Sequence, residues 1–293
     1  MKIFITGSES FVARELIKQC LERGIEVSGI DFAKSSDLPY QFIKGDITEP
    51  ELASKIPEGV DAVVHLAALS RDQDCAGKAY ECFNVNVMGT LNVMRAAKAK
   101  NAKQSIFASS EWVYEKFVGD EEKDEEAFID IAGHTSEYAL SKLVSEANLR
   151  EEYKHGFMPT TIFRFAIIYG PRKTNWAAVE SVMSAVKNSD TVTVGSLKSG
   201  RRFLHVSDIA RGITAAFGRT DFQIINLSAD KLVRMEDIIR ESEKIFGKKV
   251  KIIELNPAAI SVRNPSNKKA KELLGWRPQV GLVAGLQTLL PFV

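Results

Sequence analysis

The chain has 293 residues, with 39 Lys and Arg against 38 Asp and Glu and a formal net charge of +1. That balance excludes a nucleic-acid or anionic-membrane binder acting through bulk electrostatics. With 45% hydrophobic and 26% charged residues, the composition is that of an ordinary soluble globular protein, and the length suggests about two domains.

The first expected element is the apolar run ending at Thr6, which meets Gly7 well before signal-peptide length. Further strand-like runs end at Ile30, Ile43, Leu66, Ala108 and Phe165. Between them, residues 12–24, 87–99 and 138–153 carry apolar positions at helical spacing. This alternation predicts an α/β fold, a Rossmann-type doubly wound parallel sheet. The acidic run 120–126 reads as a solvated loop. Further helices are expected near 176–187, 207–217, 235–246 and 267–274, in a smaller C-terminal α/β lobe. The expected division is a dinucleotide-binding domain at 1–166 and a substrate lobe at 167–293, with 201–228 packing back onto the first. No stretch approaches the roughly 20 apolar residues of a membrane span. Cys20, Cys75 and Cys82 are odd in number and lack a repeated short spacing, so they read as reduced thiols of a cytoplasmic protein, with no metal site.

Gly7, Ser10 and Ala13 form a Gly-x-x-Ser-x-x-Ala turn between the first strand and first helix. The backbone N–H groups and helix dipole there suit a pyrophosphate, which points to Gly7, Ser10, Phe11 and Val12. Asp31 ends the second strand, where a carboxylate accepts from ribose hydroxyls and repels a 2′-phosphate; a turn or cap is its structural alternative. NAD is therefore expected over NADP. Asp46 and Ile47 either flank an adenine or make a plain turn. Leu66, Ala67 and Ala68 follow His65, small enough for close approach of a cofactor, while His65 itself reads as a buried, satisfied histidine.

Tyr138 and Lys142 stand four apart, on one helical face. A free tyrosine with a pKa of ~10 needs roughly 4 kcal/mol of phenolate stabilisation to titrate near 7, which Lys142 and a positive nicotinamide can supply. Tyr138 would then take a hydroxyl proton while hydride leaves the same carbon. Ser109, Ser110 and Glu111 follow the fifth strand, at the sheet edge where such folds bind ligands. Trp112 suits either a sugar ring or the core, Glu111 a sugar hydroxyl or the surface, and His134 a catalytic or a plain loop position.

The segments TGSESFVA, GDI, HLAA, NVNVMGTLNV, SSEWVY, YALSK, RFAIIYGPR, GRRFLHVSDIA and KKAKELLGW, in this order, resemble the extended short-chain dehydrogenase/reductase family, the NAD-dependent epimerases and dehydratases of nucleotide sugars. The resemblance implies Ser110, Tyr138 and Lys142 as the catalytic set, with Lys142 also on the nicotinamide ribose. It implies Asn86 as a brace beside the site, Ser109 and Phe165 at the cofactor, Ser70 and Ile167 at the substrate, and Arg201 on the nucleotide diphosphate. Ile167 replaces a common asparagine, and Arg202 replaces the usual acid, partly restoring positive charge. Dehydratases of the family place two acids after the catalytic Ser or Thr, whereas here Trp112 follows Glu111. The resemblance thus implies C4 epimerisation through a transient 4-keto sugar, with a reductase, dehydrogenase or dehydratase of nucleotide sugars as the alternative and a non-catalytic dinucleotide-binding sensor behind it. It also implies a homodimer through a four-helix bundle.

Overall fold

The computed structural model describes residues 1–33 and 36–293. Strand β1 (Lys2–Thr6) is apolar on both faces and pairs in parallel with β2 (Glu26–Asp31) on one side and β4 (Ala62–His65) on the other. Strand β3 (Gln41–Lys44) extends the sheet beyond β2, and β5 (Ser105–Ser110) extends it beyond β4. With β6 (Thr160–Phe165) and the strand Phe222–Leu227, the order is Phe222–Leu227, β6, β5, β4, β1, β2, β3. The chain reverses its direction of travel across the sheet between β1 and β4, which is where such sheets open a ligand crevice. The helix Phe11–Glu22 covers the sheet with Ala13, Leu16, Ile17 and Cys20, the spacing of one helical face. The expected doubly wound sheet is therefore present.

The chain divides into two compact units. The first comprises Met1–Glu115, Phe128–Arg164 and Ala210–Ile225. Its core gathers Phe4, Val63, Phe107 and Ile162 from the sheet with Val93, Met94 and Leu149 from helices. The second comprises Lys116–Ala127, Phe165–Ile209 and Asn226–Val293, with a core of Tyr169, Val179, Met183, Val192, Ile238 and Leu286. The returning segment is shorter than 201–228, and the acidic run lies in the second unit.

Local differences have physical causes. The expected 87–99 helix begins at Gly89, preceded by a π-helical turn, Asn84–Met88, and a short helix, Ala79–Phe83. The wider turn is continuous with both helices, so apolar spacing alone does not reveal it. The C-terminal helix Leu282–Leu289 was not expected either; it sits one turn past Pro278 and packs Leu286 and Leu289 into the second core. Among the described residues, no helix is long and apolar enough to cross a membrane.

Candidate active site

The turn after β1 is built for close approach. Gly7 has φ +66°, and a Cβ there would meet the Ala67 backbone nitrogen at 2.7 Å. Ser10 caps the following helix by accepting from the Ala13 N–H at 3.4 Å, and Phe11 and Val12 open its first turn. Asp31 ends β2 beside this turn, with one carboxylate oxygen accepting from Glu9 N–H at 3.0 Å and the other from Ala33 N–H at 2.9 Å. Glu9, an acid in a turn expected to take an anion, is bound by Arg14 at 2.6 Å and by the Tyr40 hydroxyl at 2.6 Å. The sequence reading missed Arg14 and Tyr40. Both come from positions whose spacing carries no signal until Glu9 is placed. A positive-φ glycine with no room for a side chain, a helix start and a carboxylate ending β2 fit a dinucleotide. Leu66, Ala67 and Ala68 follow β4, which ends at His65. Asp46 uses one oxygen to accept from the Thr48 N–H and hydroxyl, both at 2.9 Å, and Ile47 lies in the core, 5% exposed.

The helix Glu137–Lys154 carries Tyr138 and Lys142, capped by Ser136, whose hydroxyl accepts from Ala139 N–H at 3.1 Å. Tyr138 packs with Cys75, Cys82, Leu69 and Trp112. Burial pushes its phenol up to about 12, and Cys75, Cys82 and Glu111 push the same way; a hydrogen bond with the Ser110 hydroxyl pulls it down. The protein's own groups thus leave Tyr138 harder to ionise than a free tyrosine, correcting the expectation that started from ~10. Lys142 is 3% exposed; its Nζ donates to the Ala108 carbonyl at 2.8 Å and lies 6.0 Å from the Tyr138 ring centre. Burial pushes Lys142 down to about 8, partly opposed by Cys82, Cys75 and Glu146. Ser110 also accepts from Trp112 N–H at 3.2 Å, so the turn after β5 fixes its hydroxyl.

The neighbours of this set are more buried than their chemistry suggested. Glu111 is fully buried, which overturns the surface alternative for it. Trp112 packs against the Cys75, Cys82 and Tyr138 cluster. Ser109 donates to the Glu146 carboxylate at 2.5 Å, so its hydroxyl serves the protein interior. His134 lies in the loop before the helix, 3.3 Å from the Glu115 carboxylate. Asn86 sits in the π-helical turn, 1% exposed, donating to Ser141 Oγ at 2.9 Å and to the Leu69 carbonyl at 3.1 Å. Ser70 is exposed, next to Leu69.

Three further sequence candidates belong to the second unit. Phe165 ends β6 and is 8% exposed; Ile167 packs against the second core. Arg201 lies on the strand Gly200–Arg201, donating to the Gly200 and Ser261 carbonyls at 2.8 and 2.6 Å. On one side this strand pairs in parallel with Val262–Arg263, which sets Arg263 directly across from Arg201. Arg263 was absent from the sequence reading, since a two-residue strand preceding Asn264 and Pro265 looks like loop. Arg202 does not add charge beside Arg201 as expected. It donates to Glu122 and to Asn264, and Arg234 donates to Asp120 at 2.5 Å. The acidic run is therefore exposed as expected, with Asp120 and Glu122 paired to arginines of the second unit.

The chain resembles known proteins along its whole length. It is 26% identical to an uncharacterised UDP-glucose epimerase of Bacillus subtilis over 319 residues, covering 100% of this chain and 98% of that protein. It is 27% identical to a UDP-N-acetyl-alpha-D-glucosaminuronate decarboxylase of Bacillus cytotoxicus over 311 residues, covering 98% and 95%. Its fold superposes on a UDP-glucuronic acid 4-epimerase variant of Bacillus cereus, solved with a fluorinated UDP-sugar and NAD, with a TM-score of 0.85, 25% identity and coverage of 100% and 98%. The family model for the NAD dependent epimerase/dehydratase family matches residues 3–228, from the first strand to the end of the seven-stranded sheet. That match spans more than three quarters of the sequence, and the chain belongs to this family.

Proposed function

We propose that the protein is an NAD-dependent nucleotide-sugar epimerase acting at C4. The observation that carries this is the buried Tyr138, hydrogen-bonded to Ser110 and one helical turn from Lys142, in a chain of this family. Gly7, Ser10, Phe11, Val12 and Asp31 hold the cofactor, with Leu66, Ala67 and Ala68 on the facing turn. When bound, NAD would supply a hydride acceptor for the sugar carbon in its oxidised form and the hydride donor for the return step in its reduced form. Tyr138 Oη takes the proton of the 4-hydroxyl, and Ser110 holds that oxygen. Since the phenol starts at about 12, ionising it near neutrality needs ~7 kcal/mol of stabilisation. Lys142 and the positive nicotinamide are the groups that provide it. Arg201 takes the diphosphate, and Arg263, its register partner on the neighbouring strand, is a second cation available to it.

One observation favours a second reading. Glu111, buried and acting electrostatically on Tyr138, is a candidate base for a ring C–H beside the ketone, as dehydration or epimerisation next to C4 requires. Incubating the protein with UDP-, dTDP-, GDP- and CDP-sugars in D₂O and reading products by NMR separates the two. C4 inversion with no deuterium on carbon is expected; label at C3 or C5 overturns it in favour of Glu111.

We also infer a homodimer, because Met88, 51% exposed at the end of the π-helical turn, and the half-buried Leu91, Leu140 and Val144 on the helices Gly89–Ala99 and Glu137–Lys154 give apolar outer positions. Light scattering showing a monomer at micromolar concentration overturns this. A cytoplasmic location and a role in carbohydrate biosynthesis complete the proposal, the first supported by the three buried free thiols.

A further inference from the structure

His65 is 1% exposed at the end of β4, its ring centre 5.7 Å from that of Phe107 at a tilt of 33°, and has no place in the chemistry above. Its hydrogen bonds can be assigned a direction. The Thr90 hydroxyl donates its single hydrogen to the Asn86 carbonyl at 2.6 Å, so toward His65 Nε2, 2.9 Å away, it can only accept. Nε2 therefore carries the proton. Burial, with the Lys142 charge second, pushes the imidazole down to about 3, which keeps it neutral and leaves Nδ1 an acceptor. Thr6 Oγ1, 2.6 Å from Nδ1, must then donate to it, and Thr6 Oγ1 in turn accepts from the Ala67 N–H at 3.3 Å.

Asn86 bonds onward from its side chain. Its amide donates to Ser141, which donates to the Tyr138 carbonyl at 2.8 Å, while the Ser145 hydroxyl lies 3.0 Å from the Asn86 carbonyl and 2.9 Å from the Ser141 carbonyl. One directed series thus runs from the Ala67 N–H to the Asn86 carbonyl, and a second from the Asn86 side chain to the Tyr138 carbonyl, the two joined covalently within Asn86 of the π-helical turn. Ala67 is the residue whose backbone Gly7 approaches too closely to admit a side chain.

We propose that His65 is a positioning residue that couples the cofactor-binding turn to the helix carrying Tyr138 and Lys142. The inference rests on the reading of Gly7 and Ala67 as the cofactor turn. Occupancy of that turn fixes Ala67, and through Thr6, His65 and Thr90 it fixes Asn86 and the serines that hold the helix. An apolar side chain of similar bulk keeps the packing and removes both bonds; glutamine keeps one donor and one acceptor.

The test is hydrogen exchange of the Glu137–Lys154 amides with and without saturating NAD⁺, on wild type, His65→Leu and His65→Gln. NAD⁺ is expected to slow exchange in wild type and, in part, in H65Q. In H65L the slowing is lost and NAD⁺ binds about tenfold more weakly, the equivalent of one net buried hydrogen bond. Histidine ¹⁵N NMR of the wild type gives a second readout that does not depend on any variant folding. It is expected to show a neutral Nε2–H tautomer for His65 that shifts on NAD⁺ addition. A protonated or Nδ1–H ring, or an H65L protein with wild-type binding and slowing, overturns the coupling alone. Absence of NAD⁺ binding by the wild type overturns the cofactor reading and the coupling together.

Discussion

Arg164 on β6 and Glu146 on the Tyr138 helix form a buried ion pair, 2% and 1% exposed, with a guanidinium nitrogen 2.7 Å from Glu146 Oε2. Arg164 also donates to the Tyr114 hydroxyl at 3.0 Å and stacks over that ring at 4.9 Å, while Glu146 accepts from Ser109. The pair thereby ties the turn bearing Ser110 to the helix bearing Lys142. Removing one partner leaves the other charge buried and uncompensated, so Glu146→Leu should cost about 3–5 kcal/mol in urea unfolding. The Glu146→Leu/Arg164→Met double variant should recover most of that stability. A single variant no less stable than wild type would contradict the burial of this charge.

Tyr138→Phe removes the proposed base and little else, since the ring stays packed on Cys75, Cys82 and Trp112. Turnover should fall about 10²–10⁴-fold, the usual contribution of a positioned acid–base group. NAD affinity, measured by titration, should stay within a few fold, because the cofactor turn is untouched. Unchanged turnover would remove Tyr138 as the base, and a wild-type protein that binds NAD but turns over no nucleotide sugar would move to a non-catalytic, sensing role.

Lys142 makes the site costly to fold. Its pKa is lowered from 10.5 to about 8, so between those values the unfolded chain holds more protons than the native one. Stability conferred through this group therefore rises with pH across that window and is lowest below about 8. The burdened charge is worth about 3 kcal/mol at pH 7, against about 1 kcal/mol for the bond to the Ala108 carbonyl that substitution orphans. Lys142→Met should thus be inactive yet more stable than wild type at pH 7 by about 2 kcal/mol. That advantage should shrink toward pH 10.5, as followed by urea unfolding at several pH values. An inactive variant that is also less stable at pH 7 would contradict the sign.

What the sequence made legible follows from where each contact lies along the chain. Strands β1, β2, β4, β5 and β6 are buried on both faces, so each appears as a short apolar run, and the helices covering them keep one-sided spacing. Tyr138 and Lys142 were visible because one helix sets their spacing locally. Glu111 read equally well as a surface acid, since nothing in its own neighbours signals full burial. The pairing of Arg202 with Glu122 spans 80 positions, and that of Arg201 with Arg263 joins strands of two residues each. Such contacts have no local periodicity, and only the folded second unit reveals them.

Arg201 and Arg263 therefore give the sharpest test of what the second unit adds. Both strands run parallel with these residues in register, which brings two arginines to neighbouring backbone positions. A diphosphate held by both would make two charge-assisted contacts, each worth about 1.5–3 kcal/mol. Arg263→Leu should then raise KM for a nucleotide sugar about 10–100-fold, as should Arg201→Leu, with NAD affinity and kcat nearly unchanged. Binding of UDP alone, followed by calorimetry at two salt concentrations, isolates this contribution from the chemistry. If Arg263→Leu leaves UDP affinity at the wild-type value while Arg201→Leu lowers it, the strand pair is not the diphosphate site and Arg201 acts alone.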